Sequence, residues 1–120
     1  MNKKIQIRNS TAEFLVFTTQ AGENTIEVRI EDETVWLSQK LIAVLFDVEV
    51  NTINYHIKEI LKSREQKEAT IRNFRIVQTE GKRQVERDVE FYNLDMIISV
   101  GFRVNSDRAL QFRQWATNVL

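Results

Sequence analysis

Ser38-Gln39-Lys40-Leu41-Ile42-Ala43-Val44-Leu45-Phe46-Asp47-Val48-Glu49-Val50-Asn51-Thr52-Ile53-Asn54-Tyr55-His56-Ile57-Lys58-Glu59-Ile60-Leu61-Lys62 is the stretch whose reading decides the fold. Ser38 is a residue type that caps helix N-termini. Leu41, Ile42, Leu45 and Phe46 then recur at helical spacing, with small Ala43 among them. Asp47-Val48-Glu49 interrupts the pattern, and Ile53, Ile57, Ile60 and Leu61 mark one face of a second helix. Two helices joined by so short a turn have the helix-turn-helix layout. Ala43 permits close approach of the second helix, and Val48 and Ile53 fill the angle between them. Asp47 stands where a left-handed residue is needed, a conformation that Asp tolerates less freely than Gly.

The polar face of the second helix is the first functional signal. Asn51, Asn54, Tyr55 and Lys58 form one stripe opposite the Ile stripe, with Thr52 beside it. Asn can bond adenine with both its groups, and Lys can reach guanine or a phosphate. The same stripe is also what any solvated helix presents. Asp47 and Glu49 stand against nucleic acid, since phosphates often lie near a helix N-terminus. His56 falls between the two faces. With no second His and no Cys, it is expected to be a boundary histidine with a local hydrogen bond rather than a metal ligand.

Upstream, Phe14-Leu15-Val16-Phe17, the turn signal Gln20-Ala21-Gly22-Glu23-Asn24, and the alternation of Ile26, Val28 and Ile30 predict an N-terminal β-hairpin. Glu31-Asp32-Glu33 reads as a charged turn into a short strand, Val35-Trp36-Leu37. Downstream, a second hairpin is expected. Ile71, Phe74 and Ile76 lie on its first arm, Thr79-Glu80-Gly81-Lys82 form the turn, and Val85, Val89, Phe91 and Tyr92 lie on the return arm. Such a hairpin after a helix-turn-helix is a wing, and Arg72, Arg75, Lys82, Arg83 and Arg87 are its candidate phosphate contacts. A structural hairpin whose basic residues are balanced by Glu80, Glu86 and Asp88 fits equally. Leu94 to Val100 reads as an apolar helix that Gly101 ends or bends. Ser106 caps a last helix in which Ala109, Phe112, Ala116 and Val119 mark one face, with Trp115 beside it as core or interface.

The whole is expected to be one α+β domain: N-terminal β-hairpin, helix-turn-helix, wing-like β-hairpin and C-terminal helices, in a winged helix-turn-helix-like arrangement. Its 120 residues suit a single domain, with no Cys, no Pro and only three Gly. The absence of Cys removes thiolate catalysis, zinc ribbons and disulfides. No apolar run approaches the ~20 residues that span a bilayer, and the N-terminus lacks the core of a signal peptide. A cytoplasmic protein without membrane partner is expected. The formal net charge is zero, yet residues 1–50 carry five basic and eight acidic side chains, and residues 51–120 twelve and nine. Lys58 to Arg83 alone holds eight basic and four acidic side chains, which is either a binding face or a mixed, solvated surface.

Several segments are similar to the RhuM family (bacterial virulence protein RhuM). They are Ile26-Glu27-Val28-Arg29-Ile30-Glu31-Asp32-Glu33-Thr34-Val35-Trp36-Leu37-Ser38-Gln39, Ile71-Arg72-Asn73-Phe74-Arg75-Ile76, the run from Phe91-Tyr92-Asn93-Leu94-Asp95 to Asn105-Ser106, and Gln111-Phe112-Arg113-Gln114-Trp115-Ala116-Thr117. The last block also resembles the closing helix of phage and viral Bro-N-type DNA-binding domains. The likeness covers about residues 25–120 and leaves residues 1–24 outside. It implies the N-terminal domain of a longer protein, associated with mobile elements and with restriction or toxin neighbourhoods. Some members look as if they continue into a Fic/Doc-like region, whose histidine-bearing motif this chain lacks. Relatives often carry an Arg within the stretch corresponding to Glu49–Tyr55, and this sequence does not.

Two functions are therefore expected of different kinds. One is sequence-specific binding of double-stranded DNA, as a possible homodimer and without cofactor, through Asn51, Thr52, Asn54, Tyr55, Lys58, Arg72, Arg75, Lys82 and Arg83. The other is a protein-interaction or regulatory module that dimerises or controls an effector region. No nucleophile–base or paired-carboxylate arrangement is readable, so neither an enzyme nor a small-molecule substrate is expected.

Overall fold

A computed structural model describes residues 9–20 and 26–119. Its elements follow the order α1 (Asn9–Gln20), β1 (Arg29–Glu31), β2 (Thr34–Ser38), α2 (Gln39–Phe46), α3 (Val50–Lys62), β3 (Ile71–Glu80), β4 (Arg83–Asn93), α4 (Leu94–Gly101) and α5 (Asp107–Val119). A single 3-10 turn, Glu68–Thr70, leads into β3. The architecture is α+β, and the four described strands form one antiparallel sheet in the order β1-β2-β4-β3.

The N-terminal β-hairpin is not formed as expected. Its first arm is the helix α1, and the intended turn at residues 21–24 lies outside the described residues. A run of four apolar residues cannot be told from a strand by periodicity alone. The packing settles it. Phe14 and Phe17 are both buried, one turn apart on the same helix face, whereas in a strand they would point to opposite sides. The hairpin that does form is β1–β2, closed by Asp32 and Glu33, both with positive φ as a type I′ turn requires. The acidic triplet is thus a turn. Thr11 of α1 donates to the Glu33 carbonyl at 3.0 Å and ties the helix to it.

The central helix pair forms where the spacing placed it. Ser38 accepts a hydrogen bond from the Leu41 amide at 3.3 Å and caps α2. Asp47 adopts the left-handed conformation (φ 56°, ψ 52°), which lets the Val48 amide reach back to the Ala43 carbonyl at 3.1 Å. Ala43 and Ile53 are buried, and Val48 packs partly into the core.

The core lies on one face of the sheet. Val35 and Leu37 of β2 and Tyr92 of β4 meet Ile42, Phe46, Ile57 and Ile97 from the helices. At its far end Phe112 of α5 packs edge-on against Phe14, Phe17 and Phe46, at centroid distances of 6.3, 5.7 and 5.1 Å. Gly101 makes this possible. Its φ is not positive, so its role is not a left-handed cap. A Cβ there would overlap the Phe112 ring. Two polar devices fix α5. Ser106 donates to the Phe46 carbonyl at 2.6 Å and accepts from the Ala109 amide at 3.0 Å, capping α5 as expected. Arg113 donates to the Gly101 and Val104 carbonyls at 3.0 and 2.8 Å. The side chain of Val119 lies outside the described residues.

Gly101→Ala should therefore destabilise the domain by about 1–3 kcal/mol through overpacking. Thermal denaturation checks it, and an unchanged midpoint would contradict the Phe112 contact.

Candidate nucleic-acid interface

The exposed face of α3 is set by what its other face buries. Ile53, Ile57 and Ile60 enter the core, so Asn51, Tyr55 and Lys58 stand in solvent, with Tyr55 61% exposed. Thr52 and Asn54 are half-buried at the edge of that stripe. Asn54 is not a free reader. Its Oδ1 accepts from Gln39 Nε2 at 3.2 Å, and the same Gln39 nitrogen donates to the Tyr92 hydroxyl at 3.1 Å. The Tyr92 hydroxyl in turn donates to Glu90 at 3.2 Å. Burial pushes the Tyr92 hydroxyl above its ordinary pKa; the Gln39 bond pulls it back and Glu90 adds to the rise. This chain of side chains joins α2, α3 and β4. The sequence carried no sign of it, because Gln39, Asn54 and Tyr92 are far apart along the chain.

The second hairpin is longer than the sequence marked. β3 and β4 pair from Ile71↔Tyr92 to Glu80↔Arg83, leaving Gly81 and Lys82 as a two-residue turn. Gly81 has φ +63° at the first turn position, as a type II′ turn requires. The hairpin's basic residues divide into two groups. Arg72 pairs with Asp32 and lies 4.8 Å over the Trp36 ring. Arg75 reaches Asp88 at 3.2 Å and Glu86 at 3.7 Å. Arg87 grips Glu80 with two hydrogen bonds of 2.8 and 2.9 Å. Lys82 and Arg83 at the tip, and Lys58 on α3, pair with no carboxylate among the described residues. Three of the five expected phosphate contacts are thus partly neutralised within the fold.

One open groove of about 1230 Å³ lies between the start of α2 and the hairpin. Ser38 to Leu41 and Val50 line one side, and the hairpin from Arg75 to Gln78 and from Arg87 to Tyr92 lines the other. The sheet face away from the core holds an aromatic stack, of which Phe91 and Arg29 also line the groove. Trp36, Phe74 and Phe91 meet edge-on, and the Arg29 guanidinium lies 4.4 Å over Phe74. Trp36 donates to the Glu31 carbonyl at 3.0 Å. Among the described residues no group of His, Asp or Glu is placed to hold a metal ion. No described helix is long and apolar enough to cross a membrane.

His56 differs from expectation. Its Nδ1 is buried without a hydrogen-bond partner among the described residues, and the ring meets Tyr55 edge-on at 5.3 Å. Burial pushes its pKa below the ordinary 6.5, and the nearby Arg103 charge adds to this.

These features define a small α+β domain with a capped helix pair packed beside an extended two-stranded hairpin. Residues 69–120 match the model of the family described as Virulence protein RhuM family. The match takes in the hairpin, α4 and α5 and begins after the helix pair. No curated protein and no solved structure matches the chain.

A depressed His56 pKa has a definite sign. Below pH 6.5 the unfolded chain takes up a proton more readily than the folded one, so stability falls as pH drops through that range and on to the folded pKa. The sole imidazole resonance should titrate below 6.5 by NMR. His56→Gln should flatten the stability profile as pH falls below 6.5.

Proposed function

We propose that this domain binds double-stranded DNA in a sequence-dependent manner, with α3 against base edges and the hairpin tip against the backbone, in the manner of a winged helix-turn-helix. The observation that carries the reading is the division of charge. The only candidate contacts standing exposed and unpaired are Asn51, Tyr55, Lys58, Lys82 and Arg83, and they cluster on the α3 face and the tip. Asn54 acts in this reading as a strut that fixes α3 through Gln39, with its amide nitrogen still free to contact a base. Thr52 supports the same turn of the helix. Arg72 and Arg75 contribute only where phosphates displace their carboxylate partners. A homodimer on a two-fold site is the geometry such readers usually adopt. No cofactor enters the reading. The family resemblance suggests a regulatory role in a mobile-element, restriction or toxin context.

Anisotropy of labelled duplex DNA across a salt series tests this. Each neutralised phosphate contributes roughly −0.9 to the log–log slope, so a slope of about −3 is expected. Replacing Lys82 and Arg83 together by Ala should lower its magnitude by about 2. Asn51→Ala should instead reduce discrimination between sequences, by about 1–3 kcal/mol at one base pair. Absence of binding at low salt would reject the reading.

A further inference from the structure

The hairpin leaves one backbone edge open beside the groove. In a two-residue hairpin the pair that closes the turn exchanges hydrogen bonds, and so does every second pair beyond it. Glu80–Arg83 closes this turn. Arg83, Val85, Arg87 and Val89 therefore bond to β3, while Gln84, Glu86, Asp88 and Glu90 turn their backbone groups to the opposite edge. β2 occupies that edge only from Phe91 to Asn93. After Ser38 the chain turns away into α2. No other described strand takes up the lane that β2 vacates. The groove borders it, lined by Ser38 to Leu41, by Arg29 and by β4 from Arg87 to Tyr92. From Gln84 to Glu90 the lane is roughly 20 Å long at ~3.4 Å per residue, room for a full strand.

Charge indicates what fits there. The residues whose backbone faces the lane carry the acidic row Glu86, Asp88 and Glu90, all exposed. Arg75, across the hairpin on β3, already pairs with two of them from the other side. A second copy of β4 is a poor occupant. Two-fold antiparallel pairing sets residues of like parity opposite one another. Every register centred on residues 86 to 88 then faces acid with acid, and centring on Arg87 adds Arg against Arg. Like charges directly opposite are destabilising. DNA is disfavoured by the same acidic row.

We infer that the open edge of β4 accepts an extended segment of a partner protein as an additional antiparallel strand, with Lys or Arg at alternate positions opposite Glu86, Asp88 and Glu90. Main-chain hydrogen bonds supply affinity, and the acidic row supplies register and choice. The inference is independent of DNA binding by α3.

The probe is a fluorescein-labelled peptide, Lys-Val-Lys-Val-Lys-Val-Lys, titrated with the full chain and followed by anisotropy. A Glu-Val-Glu-Val-Glu-Val-Glu counterpart is the control. Saturable binding of the first alone is expected, with slowed amide exchange at Gln84, Glu86, Asp88 and Glu90. Asp88→Asn should weaken binding about threefold, by loss of one cross-strand pair. Asp88→Pro should weaken it about tenfold, because it also removes one outward N–H. That N–H is not part of the β3 ladder, and circular dichroism checks that Asp88→Pro still folds. Glu86→Lys, which keeps the backbone, is a second variant expected to weaken binding. Equal binding of both peptides, no binding of either, or equal affinity of the Asn and Pro variants would overturn the inference. Protection of the same four amides by duplex DNA instead of peptide would also overturn it.

Discussion

Phe112 is where four helices meet, and the arrangement of the rest depends on that contact. Its ring rests on Gly101 at the end of α4, faces Phe46 at the end of α2, and receives Phe14 and Phe17 from α1. Burying an aromatic ring removes 150–250 Å² from water, and edge-on pairs add about 0.5–1.5 kcal/mol each beyond that burial. The contact needs a glycine because two helices can approach so closely only where one lacks a side chain. Ser106 reinforces it by joining the Phe46 carbonyl to the first turn of α5. The C-terminal helices thereby hold the end of α2, and α2 in turn sets the angle of α3.

The sheet is joined to the helix pair by a different kind of link. Gln39 bonds both Asn54 and Tyr92, so one carboxamide fixes α3 against β4. A partly buried network of this sort constrains geometry through the cost of leaving its members unpaired. It explains why a residue on the polar stripe of α3 serves the frame. The surface of that stripe is correspondingly narrower than the helix period alone implies.

Along the hairpin, ion pairs decide electrostatics rather than stability. Pairs as exposed as Arg75–Asp88 and Arg87–Glu80 contribute about 0–1 kcal/mol. Their larger effect is to cancel the positive potential of the strands and leave it at Lys82 and Arg83. Asp88 also belongs, with Glu86 and Glu90, to the acidic row along the open edge of β4. Open strand edges invite pairing with other chains, and charge along them restricts which chains can pair. The hairpin thus presents a basic tip and an acidic flank, two surfaces of opposite sign on one element.

What the sequence determined by itself was local. The Ser38 cap, the Asp47 turn, the Gly81 turn and the Ser106 cap each rest on contacts within a few residues, and the Ile stripe of α3 on the helical period, so spacing and residue type were enough. The apolar helix from Leu94 was legible for the same reason. The family resemblance was legible in the hairpin and the two last helices, where the family match falls. Tertiary structure alone decided three things. It made Phe14–Phe17 a helix, because the choice depended on Phe112 and Trp115, nearly a hundred residues away. It gave Gly101, where α4 ends as expected, a packing role against Phe112 as well. It also sorted the hairpin's arginines from its free tip, since an arginine in a sequence has no partner until strand register sets a carboxylate beside it. Short-range hydrogen bonds and periodicity are written along the chain, whereas burial and charge pairing are properties of neighbours that only the folded chain brings together.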